Sequence, residues 1–317
     1  MADRLAALAA GLKAQALAEG FALAGVASAA GSPRLQLRSA ALERWLAAGH
    51  AAGLGWMHDP RRRQVEALLP GAASLLLVAL DYSRPERQQP QAPRIARYGW
   101  GRDYHRVIDG RLRRLGRWLQ QHRADCRWRV CVDAAPLMEK AWAEEAGLGW
   151  IGKHGNLIHH RRGSWLLLGA LITDLPLPAD TPARPRCGSC SRCLPACPTE
   201  AIREPFVVDS RRCIAYHTIE NRDPTLPAAI SAQLQGWVAG CDLCQEACPW
   251  NQDLAPAPDD PACRPRDWIL SADRDTLLSW DDGQWDSALR ASALRRIRPW
   301  MWRRNLQAAG GTSAGSP

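Results

Sequence analysis

Four cysteines fall within eleven residues of one stretch, CGSCSRCLPACPTEAI (Cys187–Ile202), and the last is followed by proline. The spacing is C-x2-C-x2-C-x3-C-P, at Cys187, Cys190, Cys193, Cys197 and Pro198. With such spacing a short loop wraps three corners of a [4Fe–4S] cubane, and the fourth thiolate is carried away to a neighbouring one. A second run, Cys241-x2-Cys244-x3-Cys248-Pro249, has the same ending and one cysteine fewer. Two cubanes need eight thiolates, and the two runs supply seven. Cys213, in DSRRCIAYHTIE, is the natural eighth.

The pattern predicts crosswise ligation. One cluster takes Cys187, Cys190, Cys193 and Cys248; the other takes Cys197, Cys213, Cys241 and Cys244. Zinc ribbons use pairs of C-x2-C, not a triple followed by x3-C-P. A disulfide framework does not suit a reduced compartment. Cys126, Cys131 and Cys263 stand outside any motif and read as small buried apolar side chains. The clusters indicate electron transfer and leave the substrate open.

The rest of the chain is far more than a carrier of clusters requires. Its 317 residues allow two domains with a real core. No apolar run approaches a membrane span, and the N-terminus reads as an amphipathic helix rather than a signal peptide, so a cytoplasmic protein is expected. The net charge of +9 suits a polyanionic partner. Arginine carries nearly all of it, since the only lysines are Lys13, Lys140 and Lys153.

Residues 1–18 read as a helix, Phe21–Ser28 and Ser74–Leu80 as strands, and Ser83–Pro93 as an exposed loop. Val107–His122 has helical spacing, with Leu112, Leu115, Trp118 and Leu119 on one side. Arg127–Val132 and Ser164–Thr173 read as strands, with a helix from Pro136 to Ala146 between them. Alternating strands and helices predict an α/β domain over residues 1–175. Pro176–Pro185 reads as a linker, residues 176–255 as the cluster domain, residues 256–309 as helical and residues 310–317 as a disordered tail.

Asp133 follows a predicted strand, where open α/β sheets place their ligands. With a helix starting at Pro136 its carboxylate is free of capping duty. The residues alone leave two readings, a proton donor or a loop carboxylate paired with an arginine. The stretch GWIGKHGNLI (Gly149–Ile158), with three glycines and one of the few lysines, reads as a ligand-contacting loop. No dinucleotide or Walker motif is present.

Taken in order, ARYGWGRDYH (Ala96–His105), VDAAPLMEKAWAEEAGLGWIGKHGNLI (Val132–Ile158), the two cysteine runs and CIAYHTIE (Cys213–Glu220) resemble the epoxyqueuosine reductase family over about residues 10–255. The resemblance implies a cobalamin-binding α/β sandwich domain, a ferredoxin-like domain with two [4Fe–4S] clusters, and a short helical C-terminus that looks like the start of a HEAT-like unit. It implies reduction of epoxyqueuosine to queuosine at the wobble position of tRNA, with loss of water. Asp133 falls on the family's proton donor, although VDAAPL stands where the family has VDTGPL. Cobalamin contacts are implied at Arg97, Tyr98, Asp133, Lys153, His154, Asn156 and Leu157 and at one arginine among Arg61, Arg62 and Arg63, taken as Arg63; IGKH stands where the family has IGKN. The D-x-H-x-x-G signature of histidine-ligated cobalamin is absent, and the family binds cobalamin without that histidine. The expected partners are tRNA, docked on the basic C-terminal helix and on Arg211 and Arg212, and an electron donor such as ferredoxin or flavodoxin; a monomer is expected. The other classes are a dehalogenase-like cobalamin reductase of a small molecule and a two-cluster electron carrier.

Overall fold

The run SLLLVALD (Ser74–Asp81) is buried at every position. A strand with no polar face needs cover on both sides, and the fold is built around that requirement. The computed structural model describes residues 2–256 and 259–310. In chain order the first part runs α1 (Ala2–Ala18), β1 (Leu23–Ser28), α2 (Pro33–Ala47), β2 (Ser74–Asp81), β3 (Arg94–Ile95), α3 (Tyr104–His122), β4 (Trp128–Cys131), α4 (Glu139–Glu145), β5 (Trp150–Ile151), β6 (Leu157–Ile158) and β7 (Leu166–Thr173).

The main sheet has the order β1-β2-β7-β4. Successive side chains of β2 point to opposite faces. Leu76, Val78 and Leu80 pack with Leu12, Ile108, Leu112 and Leu115 of α1 and α3. Leu75, Leu77 and Ala79 pack with Leu35, Ala141 and Trp142 of α2 and α4. Helix α3 lies so close to β7 that a Cβ on Gly169 would stand 2.5 Å from Ile108 Cγ2, so any side chain there would push the layers apart.

The layered α/β expectation holds, with one difference. Every neighbouring pair in this sheet is antiparallel. After α2, the irregular stretch 48–73, with three 3₁₀ turns, returns the chain to the end where β1 stopped, and Ser28 pairs with Ser74. A crevice at the carboxyl ends of parallel strands therefore does not position Asp133; a strained turn after β4 does. Asp133 has φ +44°, a left-handed conformation uncommon outside glycine. Helix α4 starts at Glu139, three residues later than expected, because Pro136 sits in the turn closed by Ala135 N–H to Val132 O and Leu137 N–H to Ala135 O.

The segment Pro176–Pro185 is not a free linker. Asp180 accepts from Lys13 Nζ (2.7 Å) and from the backbone N–H of Val26 (2.8 Å), and its own N–H donates to Val26 O (2.8 Å). It thus covers the open edge of β1, which would otherwise offer unpaired backbone groups.

The cysteine region adds the hairpin β8 (Ile202–Glu204) and β9 (Val207–Val208), α5 (Ile214–Ile219), α6 (Ala228–Ser231), β10 (Trp237–Ala239) and α7 (Leu243–Glu246). Strand β10 pairs in parallel with β3, joining this region to the first part of the chain. Among the described residues four α-helices follow: α8 (Asp267–Ser271), α9 (Arg274–Ser279), α10 (Asp282–Ala288) and α11 (Pro299–Gly310). Trp285 and Trp302 stack at 4.8 Å in a core that also holds Ile95, Trp100 and Val238. Asn305, wholly buried, donates from Nδ2 to Thr218 O (2.9 Å) and Val238 O (2.8 Å). Of the expected tail, Gly310 is the last residue of α11, and 311–317 lie outside the described residues. No helix among the described residues is long and apolar enough to cross a membrane.

Candidate functional site

The structure gathers the eight motif cysteines into two groups of four. Cys187, Cys190 and Cys193 lie on one loop, and Cys248 joins them around a small cavity of about 20 Å³ that Lys153, His154 and Trp250 also line. Cys197 leaves that loop to face Cys213, Cys241 and Cys244 on the wall of a much larger cavity. Backbone N–H groups point at the sulfurs: Ala201 donates to Cys197 Sγ at 3.2 Å, Ala215 and Tyr216 to Cys213, and Leu243 to Cys241. Burial pushes the Cys213, Cys241 and Cys244 thiols up, and the nearby thiolates of the same group push further. Such thiols ionise readily only around a cationic centre. Gly240, just before Cys241, has φ +72°, and a Cβ there would stand 2.5 Å from that of Ala96.

The larger cavity encloses about 1380 Å³, more than the roughly 300–1,000 Å³ of ordinary small-molecule pockets. Leu37, Ala41 and Trp45 of α2 form one wall, with Leu166, Leu167 and Leu168 of β7 and the β8–β9 hairpin around them. Trp45 Nε1 donates to Val208 O (2.7 Å), tying α2 to β9. Polar groups enter at Tyr98, Tyr104, Asp133, Glu139, Lys140, His154 and Asn156. Lys140 Nζ donates to Gly155 O (2.7 Å) and Asn156 Oδ1 (3.1 Å). Glu139 Oε1 and His154 Nε2 are buried with no hydrogen-bond partner among the described residues. Burial pushes the Glu139 carboxyl up to about 8. Burial, and then the Lys140 charge, lower His154 to about 4, so its ring is neutral.

Asp133 stands at this cavity with its carboxylate already engaged. His105 Nε2 lies 2.6 Å from Oδ2, and Tyr104 Oη donates to the same oxygen at 3.0 Å. The other ring nitrogen, His105 Nδ1, lies 2.7 Å from Asp103 Oδ1. Asp103 also caps α3, accepting from the His105 N–H. The Asp133 side chain is 57% exposed; partial desolvation works against its charge, yet His105, Tyr104 and Arg296 hold it below the usual carboxylate range. Burial likewise opposes the imidazolium, but Asp103 and then Asp133 outweigh it and raise His105 to about 9.

Of the residues expected at a cofactor, Tyr98, Asp133, His154, Asn156 and Leu157 line the large cavity. Three do not. Lys153 faces the first cysteine group and donates to Gly188 O (2.9 Å). Arg97 turns away to donate to Arg84 O and lies over the Trp100 and Trp165 rings. Arg63 is paired with Glu43 of α2. Arg211 and Arg212, expected to meet RNA, are held by Asp209 and by Thr199 O with Glu200. The expected contacts did not include Tyr104, His105, Glu139 or Lys140. The first two stand in ARYGWGRDYH, and Lys140 is one of the three lysines, so both signals were present. A separate basic cavity of about 750 Å³ is lined by Arg222, Arg295, Arg296, Arg298 and Trp300.

Two family models match the chain. Residues 186–251 match a 4Fe-4S double cluster binding domain, and residues 62–134 match "Epoxyqueuosine reductase QueG, DUF1730". An epoxyqueuosine reductase of Synechococcus sp. (strain RCC307) is 65% identical over 299 residues, covering 94% of this chain and 92% of that protein. The chain belongs to the epoxyqueuosine reductase family. Among solved members, one in complex with an epoxyqueuosine-modified tRNA-Tyr stem loop is 28% identical, with a TM-score of 0.84 over 96% of this chain and 81% of its own. The Bacillus subtilis epoxyqueuosine reductase, 27% identical with a TM-score of 0.83 over 96% of this chain and 81% of its own, was solved with an aspartate-bearing catalytic loop swung out of the active site.

Proposed function

We propose that this chain reduces epoxyqueuosine to queuosine at the wobble position of tRNA, with the eight motif cysteines holding two [4Fe–4S] clusters and Asp133 delivering protons. One observation carries the reading. A single cavity is lined both by Cys197, Cys213, Cys241 and Cys244 and by Asp133, so electrons and protons are delivered to the same space. The reaction needs both. Two C–O bonds of the epoxide break, a C=C bond forms, and the oxygen leaves as water, consuming two electrons and two protons.

The residues present fit cobalamin in this cavity. The volume suits a group larger than ordinary ligands. Leu37 and Leu166–Leu168 offer an apolar face to a macrocycle, while the unpartnered Glu139 Oε1 and His154 Nε2 and the Asn156 side chain suit its peripheral amides. When bound, cobalamin supplies a strongly reducing cobalt centre. Asp133 then serves as the acid at the departing oxygen, a role worth about 10² to 10⁴ in rate.

Division of the chain follows: residues 1–175 hold the cofactor, residues 176–255 the clusters, and the helical, truncated HEAT-like segment 256–309 the RNA. Arg222, Arg295, Arg296 and Arg298 form a phosphate-binding surface beside Trp300, which is 42% exposed and able to stack on a base. A ferredoxin or flavodoxin is the proposed donor to a cytoplasmic monomer. Nucleoside mass spectrometry of bulk tRNA from a strain lacking the gene tests the reading. Accumulation of a nucleoside one oxygen heavier than queuosine is expected; unchanged queuosine, in a strain with no second enzyme for the step, overturns it.

A further inference from the structure

The array around Asp133 holds its proton in an unexpected place. Both nitrogens of His105 face carboxylate oxygens, at 2.7 Å from Asp103 and 2.6 Å from Asp133. A neutral imidazole carries one N–H and would leave one of these contacts as two acceptors facing each other. The geometry is satisfied by an imidazolium between two carboxylates. Asp133 Oδ2 also accepts from Tyr104 Oη (3.0 Å), and this second donor favours the ionised carboxylate over a form in which Oδ2 carries the proton to a neutral ring.

We propose, building on the reading above, that His105, oriented by Asp103, is the proton reservoir of the site, and that Asp133 relays its proton to the departing epoxide oxygen. His105 is thus a positioning residue that also stores the proton; Asp133 touches the reacting atoms. One N–H bond of the imidazolium breaks and one O–H bond forms on the leaving oxygen, with Asp133 passing the proton through. The ring, 37% exposed, recovers a proton from solvent and supplies the second one needed for water. The electrons come from the single-electron donor through the clusters and are not drawn from the array.

Packing keeps the ring in place. Tyr104 stacks on it at 4.0 Å with 24° between the planes, and Asp103 is fixed by capping the helix that carries the ring. The charged and titratable groups around the array are Asp103, Tyr104 and Arg106 from α3, Tyr98 before it, Asp133 from the turn after β4, Glu139 and Lys140 from α4, which act on Asp133, and Arg296, itself paired with Glu220. Two carboxylates contact the ring directly, and the cations act at longer range, which favours the charged ring.

Two variants of the cluster-loaded enzyme test this. The wild type is expected to lose activity as pH rises through about 9, where His105 gives up its proton; His105→Gln is expected to lower turnover on epoxyqueuosine stem loop by about a hundredfold, with cluster absorbance unchanged, and to lack that alkaline limb. Asp103→Asn keeps a good helix cap and removes one charge from the ring. It is expected to move that limb down by about one pH unit or more. The same shift should appear in the His105 imidazole resonance followed by NMR, which requires no turnover. Wild-type rate and alkaline limb in His105→Gln overturn the inference while leaving the proposed function intact. An ordinary titration of His105 near pH 6.5 overturns it even if the enzyme turns over no epoxyqueuosine, an outcome that would sink the proposed function separately.

Discussion

Arg38 grips Glu144 through a forked ion pair: Nη2 lies 2.8 Å from Oε2, and Nε donates to the same oxygen at 3.1 Å. Glu144 is 1% exposed, and its Oε1 also accepts from the Ile151 N–H. The pair fastens α2 to α4, and both residues line the large cavity. Removing one partner leaves a buried charge alone. Arg38→Met should therefore destabilise the protein by about 3 kcal/mol, read as a lower denaturant midpoint. An unchanged midpoint would mean that the pair contributes nothing net.

Asp133→Asn separates chemistry from folding. Asparagine tolerates the left-handed backbone at φ +44° about as well as aspartate does, so cluster content and melting temperature should match the wild type. Turnover should fall by about 10² to 10⁴. Near-normal turnover on an epoxyqueuosine stem loop would reject the acid role.

Glu139 makes stability depend on pH. Its carboxyl is raised from 4.5 to about 8 by burial, so the fold prefers the neutral form. The sign follows: the contribution of Glu139 is fully present below pH 4.5 and is lost as pH rises through about 8. Glu139→Gln keeps the shape and removes the titration. It should flatten that decline, so that at pH 9 the variant melts higher than the wild type. Parallel melting curves across the range would show that Glu139 is not the group responsible.

RNA binding should respond to Arg298, which has no ion-pair partner among the described residues and lines the basic cavity. Arg298→Ala should weaken stem-loop binding by several-fold and reduce the salt slope by about 0.7–0.9, the value of one phosphate contact. Cluster spectra should not change. Equal salt slopes in variant and wild type would place the RNA elsewhere.

The cysteine motifs were legible because ligand spacing is local, and a loop that wraps a cubane leaves few other solutions. Strand Ser74–Asp81 was legible because burial on both faces makes the whole run apolar. The antiparallel sheet was not, since it depends on how the irregular residues 48–73 return the chain, and they carry no periodic signal. Arg63 and Arg97 were misplaced for a similar reason. Each looked free in sequence, but Glu43 and the Arg84 carbonyl claim them in the fold. The meeting of His105 with Asp133 joins a helix start to a turn twenty-eight residues later, which no window of sequence displays. The late start of α4 came from proline's double meaning, at home both in a first helical turn and in the tight turn that precedes one.

Helix α11 has a consequence for assembly. Asn305 saturates the carbonyls of Thr218 and Val238, and Arg304 those of His217 and Asn221. These acceptors belong to the elements between the two cysteine runs, yet their donors are synthesised only after the last motif cysteine. Until α11 has emerged, those carbonyls have water rather than protein donors. The hydrogen bonding of the cysteine region is therefore completed only by the last helix of the described chain.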